Sequence, residues 1–277
     1  MASELVRQLL DAGIHFGHRT SRWNPKMKPY IFGKRNLIHI IDIRETVKGI
    51  LRAKKYVSRV VAKGDDVLFV GTKRQARSAV IEVAAKHNMP YVTERWLGGT
   101  LTNFRTIRSR LTRLDELERI EAEGMSERYS KKMVATLTRE LRKIRRNLDG
   151  IRKMNRLPGV LVLIDLNREH IASREARSLG IPVISLIDTD SDPDNVDIPI
   201  PGNDDAIRAI ELVLKHVGSA IEEGKRSRAV EEEVSRAAAR RSSRNPAQQE
   251  EAAPVAAVAD QQVVTQAGES SSDSVVA

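Results

Sequence analysis

Cysteine is absent from all 277 residues, which excludes disulfides and thiolate metal sites and is compatible with a reducing compartment. Aromatic residues make up only 4 % of the chain, so any core must rest on aliphatic side chains. No apolar run approaches the roughly 18 residues of a membrane span. The start, Met1-Ala2-Ser3-Glu4-Leu5-Val6-Arg7, lacks the basic-then-apolar order of a signal peptide, and the expectation is a soluble cytoplasmic protein with no membrane partner. The usual marks of nucleotide and acyl chemistry are also missing. Gly71-Thr72-Lys73 does not have the spacing of a phosphate loop, no Gly-x-Gly-x-x-Gly follows the first sheet strand, and no serine elbow stands out as a nucleophile.

Charge is abundant and unevenly spread. Lys and Arg number 47 against 37 Asp and Glu, a net +10. Residues 227–277 hold 5 basic and 8 acidic residues with long Ala, Ser, Gln and Glu stretches; they read as a disordered acidic tail, helical at most to Arg241. Without them the body carries +13. A partner rich in phosphates accounts for that economically.

Most of the body has the pattern of a parallel sheet wrapped by helices. Val67–Val70, Pro90–Thr93, Val160–Asp165, Pro182–Ile187 and Ile198–Ile200 read as strands, nearly all apolar as strands buried on both faces are. Between them fall helices at about Lys73–His87 and Arg168–Leu179, and after them one from Asn203 to about Glu222, with Asp204 and Asp205 in its first turn. Such alternation implies right-handed βαβ units and a doubly wound α/β sheet. Upstream lie a helix at 45–62 and a small hairpin containing Arg35–Asp42. The α/β domain is therefore expected over 1–101 and 158–226.

Residues 102–157 interrupt this pattern and carry 16 basic against 8 acidic residues. Val134, Leu137, Leu141, Ile144, Leu148 and Ile151 recur at spacings of three and four, the seam of a coiled coil. Phe104, Ile107, Leu111, Leu114, Leu117 and Ile120 form a looser stripe, and Gly124 supplies a reversal with Ser126 as cap of the second helix. The expectation is an inserted antiparallel α-helical coiled-coil hairpin. Arg139, Arg142, Lys143, Arg145 and Arg146 crowd two of its turns with Glu140 the lone acid among them. A hairpin built only for solubility would balance its charges.

Three further segments offer cations to an anionic ligand. His18–Tyr30, stiffened by Pro25 and Pro29, presents Arg19, Arg22, Lys26 and Lys28, with Trp23 as either a stacking platform or a core anchor. Lys73, Arg74 and Arg77 open a crossover helix whose free N–H groups favour an anion. Arg95 and Asn103 bracket the Gly98-Gly99 junction into the hairpin, which continues with Arg105 and Arg108. That junction serves either close approach to a ligand or a sharp connection.

Two other chemistries compete. Asp165 and Asp188 fall at carboxyl ends of strands, where enzymes of this fold class bind ligands, and Asp188–Asp192 has the acids of a cation loop. The same run reads more readily as a Pro- and Asp-rich loop, since Asp starts turns and caps helices. His15 and His18 are half a zinc site with no matching second pair, so no metal and no cofactor are expected.

The motifs together resemble a known family. Leu9–His18, Arg95–Phe104, Pro158–Asp165, Ile181–Asp188 and Asp197–Asp204 look like signatures of the second protein of the bacterial small ribosomal subunit, in order over about residues 3–225. The resemblance implies a flavodoxin-like fold with a coiled-coil insert and no catalysis. It also implies binding of 16S ribosomal RNA between head and body, and contact with other small-subunit proteins, including help in anchoring the large messenger-binding protein one for translation initiation.

Overall fold

The computed structural model describes residues 2–124 and 129–244. Two compact units are distinguished, Met1–Glu232 and Glu233–Ala277. The first holds both sheets. The second is described only as far as Arg244, where it is helical.

Five strands form a parallel sheet: β4 (Val67–Val70), β5 (Tyr91–Val92), β6 (Val160–Ile164), β7 (Val183–Ile187) and β8 (Ile198–Pro201), in the order β5-β4-β6-β7-β8. Side chains alternate between two cores, as a period of two requires. Phe69, Val162, Ile184 and Leu186 face one, packed by α2 (Ile43–Ala62), α3 (Arg77–His87) and α7 (Ile207–Arg244). Leu68, Leu161, Leu163 and Ile187 face the other, covered by α6 (His170–Ser178) and the bases of α4 (Phe104–Ala122) and α5 (Lys131–Leu148). The sheet's edges are a two-residue strand and a strand carrying Pro199 and Pro201, both poor templates for further pairing.

Upstream, α1 (Ala2–Asp11) precedes a second sheet of β1 (Phe16–Arg19), β2 (Ile31–Arg35) and β3 (Ile38–Ile41), ordered β1-β3-β2 and antiparallel throughout. The expected two-stranded hairpin is thus three strands, turned at Asn36 and Leu37, whose φ angles are 49° and 62°. This small sheet sits over the carboxyl ends of β7 and β8. His18 N–H donates to Thr189 Oγ1 at 2.9 Å, Asn24 N–H to Thr189 O at 2.8 Å, and Asn203 N–H to Ile14 O at 2.9 Å. A Cβ at Gly17 would lie 2.6 Å from Thr189 Cγ2, so only glycine permits the approach.

Helix boundaries differ from the sequence pattern for local reasons. The crossover helix begins at Arg77 and not Lys73, because residues 71–76 form a turn that carries the Lys73 side chain inward. The last helix starts at Ile207, with Asn203 Oδ1 accepting from Asp205 and Ala206 N–H. It also passes the expected stop near Glu222. Gly224 is where α7 presses on α2, its Cβ position 2.6 Å from Ser58 O. The Ala237–Ala239 run beyond favours continuation through Arg244. Most of the expected acidic tail, residues 245–277, and the Ser126 cap lie outside the described residues; the described helix α5 is capped by Ser130, whose side chain accepts from Met133 N–H.

Candidate nucleic-acid interface

The helix pair is mounted on the body by its own sequence. The segment 95–103 crosses from β5 to α4 with Trp96 and Leu101 buried in the core under α6. Gly99 takes φ +87°, turning its N–H toward Glu175 Oε1 at 2.8 Å, and Trp96 Nε1 donates to the same oxygen at 3.0 Å. On the return, Gly150 backs onto the edge strand so closely that a Cβ would clash with Tyr91 O. The two adjacent glycines therefore serve the junction reading, and the carboxylate that organises them is one that no local sequence signal marks.

Above this mount, Leu114, Leu117, Leu137 and Leu141 form a separate buried cluster, flanked by half-buried Ile120, Val134 and Ile144. Ile107, Leu111, Leu148 and Ile151 belong to the sheet core instead. Each apolar stripe is therefore shared between the helix pair and the body. Arg108 donates to Met154 O at 3.1 Å, and Arg145 and Arg152 reach Glu118 at 3.0 and 2.8 Å. Arg146 bonds Glu94 at 2.7 Å, and Glu94 also holds Arg77 at 3.0 Å. Exposed pairs of this kind each contribute little stability.

The remaining cations divide clearly. Arg105, Arg139, Arg142 and Lys143 on the helices, Arg19, Arg22 and Lys28 near the N-terminus, and Arg74 and Arg95 between them are exposed. None of the nine has a carboxylate within salt-bridge distance among the described residues. Lys26 is exposed but bridges Asp192 and Asp194 at 2.9 and 2.6 Å. Asn103, also exposed, accepts from Thr106 Oγ1 at 2.7 Å. Trp23 is half-buried with its ring 5.2 Å from that of His39, so it is neither a full core anchor nor a free platform.

Lys73 departs from its expected role. It is buried, and its Nζ lies 2.7 Å from Asp204, 2.6 Å from Asp205 and 3.5 Å from Asp165. Its charge is used internally because Asp204, only 2 % exposed, needs a partner more than a distant phosphate does. Burial opposes the ammonium, but the Asp204 and Asp205 contacts and Asp165 outweigh it and raise the Lys73 pKa. Burial, together with the repulsion of Asp165, pushes the Asp204 carboxyl up to about 7.

The acids at the carboxyl ends of the strands are thus paired with cations of the chain itself. His18 Nδ1 lies 2.9 Å from Asp188 Oδ2, and the hydrogen bond to Asp188 lifts the imidazole to about 9. Asp192 caps a short turn by accepting from Asp194 N–H, the capping role expected of such a loop. The two histidines do not converge: His15 stacks on Phe16 at 4.1 Å. His18 instead joins Asp188 and Asp204, with ligand atoms within 4.8 Å of one another. Those three could hold a cation, which would have to displace the His18 proton. A cleft of about 490 Å³ beside them is lined by His18, Arg19, Arg22, Asp188 and Asp205.

Among known proteins, a family model described as ribosomal protein S2 matches residues 9–224. The small ribosomal subunit protein uS2 of Rhodopirellula baltica is 60 % identical over 225 residues, covering 81 % of this chain and 86 % of that one. The uS2 proteins of Mycobacterium ulcerans and Mycolicibacterium paratuberculosis are 54 % and 53 % identical over 229 residues, each alignment covering 83 % of both chains. No helix among the described residues is long and apolar enough to cross a membrane.

Proposed function

The chain belongs to the ribosomal protein S2 family, and on that premise we propose that it binds 16S ribosomal RNA at the junction of head and body of the small subunit. It is a structural protein of the small ribosomal subunit and not an enzyme. In this reading the exposed cations of the helix pair and of the N-terminal segment neutralise phosphates, recognising backbone shape more than base sequence. The observation that carries it is the set of exposed Arg and Lys residues without carboxylate partners among the described residues, above all Arg139, Arg142 and Lys143 on adjacent turns of α5. Arg77, Arg108, Arg145 and Arg146, already paired, act as supports. Lys73 is not among the contacts.

The same reading divides the chain into an α/β body (1–101 and 158–226), a basic coiled-coil hairpin (102–157) and a C-terminal segment from 227. The strand order β5-β4-β6-β7-β8 supports a flavodoxin-like assignment, and the Leu114, Leu117, Leu137 and Leu141 cluster supports the coiled coil. Protein contacts, including help in anchoring the large messenger-binding protein one, fit the N-terminal sheet. It exposes Phe32 and Leu37 at 73 % and 74 %, apolar surface that a partner would cover.

Affinity for a 16S fragment against salt tests the RNA reading. With this many free cations, the association constant is expected to fall about a thousandfold between roughly 50 and 200 mM monovalent salt, linearly on a double-logarithmic plot. Affinity indifferent to salt rejects it.

A further inference from the structure

We propose that Glu175 is the positioning residue that fixes the direction in which the basic helix pair leaves the α/β body. Glu175 lies on α6, which belongs to the body through buried Ala172 and Ala176. The residue is 8 % exposed, and its carboxylate takes the donors of the segment that leads into α4. Oε1 accepts from Trp96 Nε1 at 3.0 Å and from Gly99 N–H at 2.8 Å. Oε2 accepts from Leu101 N–H at 3.0 Å, from Thr102 N–H at 3.2 Å and from Thr102 Oγ1 at 3.3 Å.

An irregular segment beneath a helix leaves N–H groups that must be satisfied when buried. Here one side chain satisfies three of them. Burial alone would push the Glu175 carboxyl up, but the Trp96, Gly99, Leu101 and Thr102 donors outweigh it and hold the pKa below the usual carboxylate range. The group is an ion at neutral pH, and charge-assisted bonds are the strong ones.

The other fastenings do not do the same work. Trp96 and Leu101 insert apolar surface under α6, but burial of that kind is non-directional and tolerates rotation. The Glu94 bridge to Arg146 is largely solvent-exposed on the arginine side, at 69 %, and is weak and screened. Five donors converging on two oxygens define an orientation. Leverage makes that orientation consequential: α4 has 19 residues, about 28 Å at 1.5 Å per residue, so a tilt of about 10° at the base moves its far end by about 5 Å.

The chain has no cysteine, so two can be introduced without background. Nitroxides are placed at Ala135→Cys on α5 and Ser78→Cys on α3, both exposed positions, and the interspin distance is measured by pulsed dipolar spectroscopy on the full chain. Wild-type Glu175 is expected to give one narrow distribution. Glu175→Gln keeps the shape but sets an NH₂ against N–H donors; it is expected to broaden or shift the distribution by about 5 Å, the displacement of a ~10° tilt, while helical circular dichroism is kept. Glu94→Gln is expected to leave it narrow. Trp96→Phe, which removes one donor and keeps an aromatic ring, is expected to broaden it less and serves if the Gln variant does not fold. A distribution unchanged in Glu175→Gln, or unchanged in Trp96→Phe where that variant stands in, overturns the proposal. The experiment contains no RNA, so its outcome is independent of the RNA-binding reading.

Discussion

Replacing Arg139, Arg142 and Lys143 together by Glu is expected to lower affinity for a 16S fragment by a hundredfold or more at about 100 mM salt and to make the salt slope shallower by about three, one unit per lost phosphate contact. The three side chains are exposed and without carboxylate partners on α5, so circular dichroism and thermal unfolding should barely change. Arg145→Gln is the informative contrast. Its guanidinium already lies 3.0 Å from Glu118 and 3.5 Å from Glu121, and its removal should cost much less affinity. Filter binding across a salt series reads both. Loss of affinity with an unchanged slope would point to misfolding or a non-phosphate contact.

The second large effect concerns the buried lysine. Lys73→Met is expected to destabilise the fold by about 3–5 kcal/mol above pH ~8, where Asp204 is ionised in the wild type and the substitution strands a buried carboxylate. Asp204 is 2 % exposed, and Lys73 is the cation bonded to it at 2.7 Å. The pH dependence has a defined sign. The folded-state pKa of Asp204 is about 7, above its model value of 3.8, so the folded state binds the extra proton between those values. Its stability contribution is complete below the unfolded pKa and is lost as pH rises through about 7. Without Lys73 the carboxyl rises further, and the variant's deficit should be largest at about pH 8 and shrink at about pH 5.5, where Asp204 is neutral. Urea unfolding of wild type and variant at the two pH values measures this. Equal deficits at both would show that Asp204 does not carry the effect.

What the sequence makes legible follows from periodicity and composition. The five sheet strands stand out because both faces are buried, leaving runs such as Val160–Ile164 wholly apolar. The helix pair stands out because its apolar residues recur at spacings of three and four. Three features were not readable, each because it depends on residues distant in sequence. Lys73 looks like an anion-binding cation until Asp204, 131 residues away, is brought beside it. The last helix runs past its expected end near Glu222, where Gly224 meets α2. Glu175 is an ordinary charge on a short helix until the segment 96–102 folds over it. In sequence His18 stands beside His15, whereas the fold sets it against Asp188 and groups it with Asp204. The cations are legible as residue types, while their separation into exposed side chains and internally paired ones depends on where the acidic partners lie.

On the proposed reading, the chain is a structural protein held to the small subunit through the phosphates of ribosomal RNA. Sedimentation of a cell lysate through a sucrose gradient, at low and then at high salt, tests it most directly. The protein is expected to travel with small ribosomal subunits at low salt and to be progressively released as salt rises. Protein remaining at the top of the gradient in both conditions would contradict it.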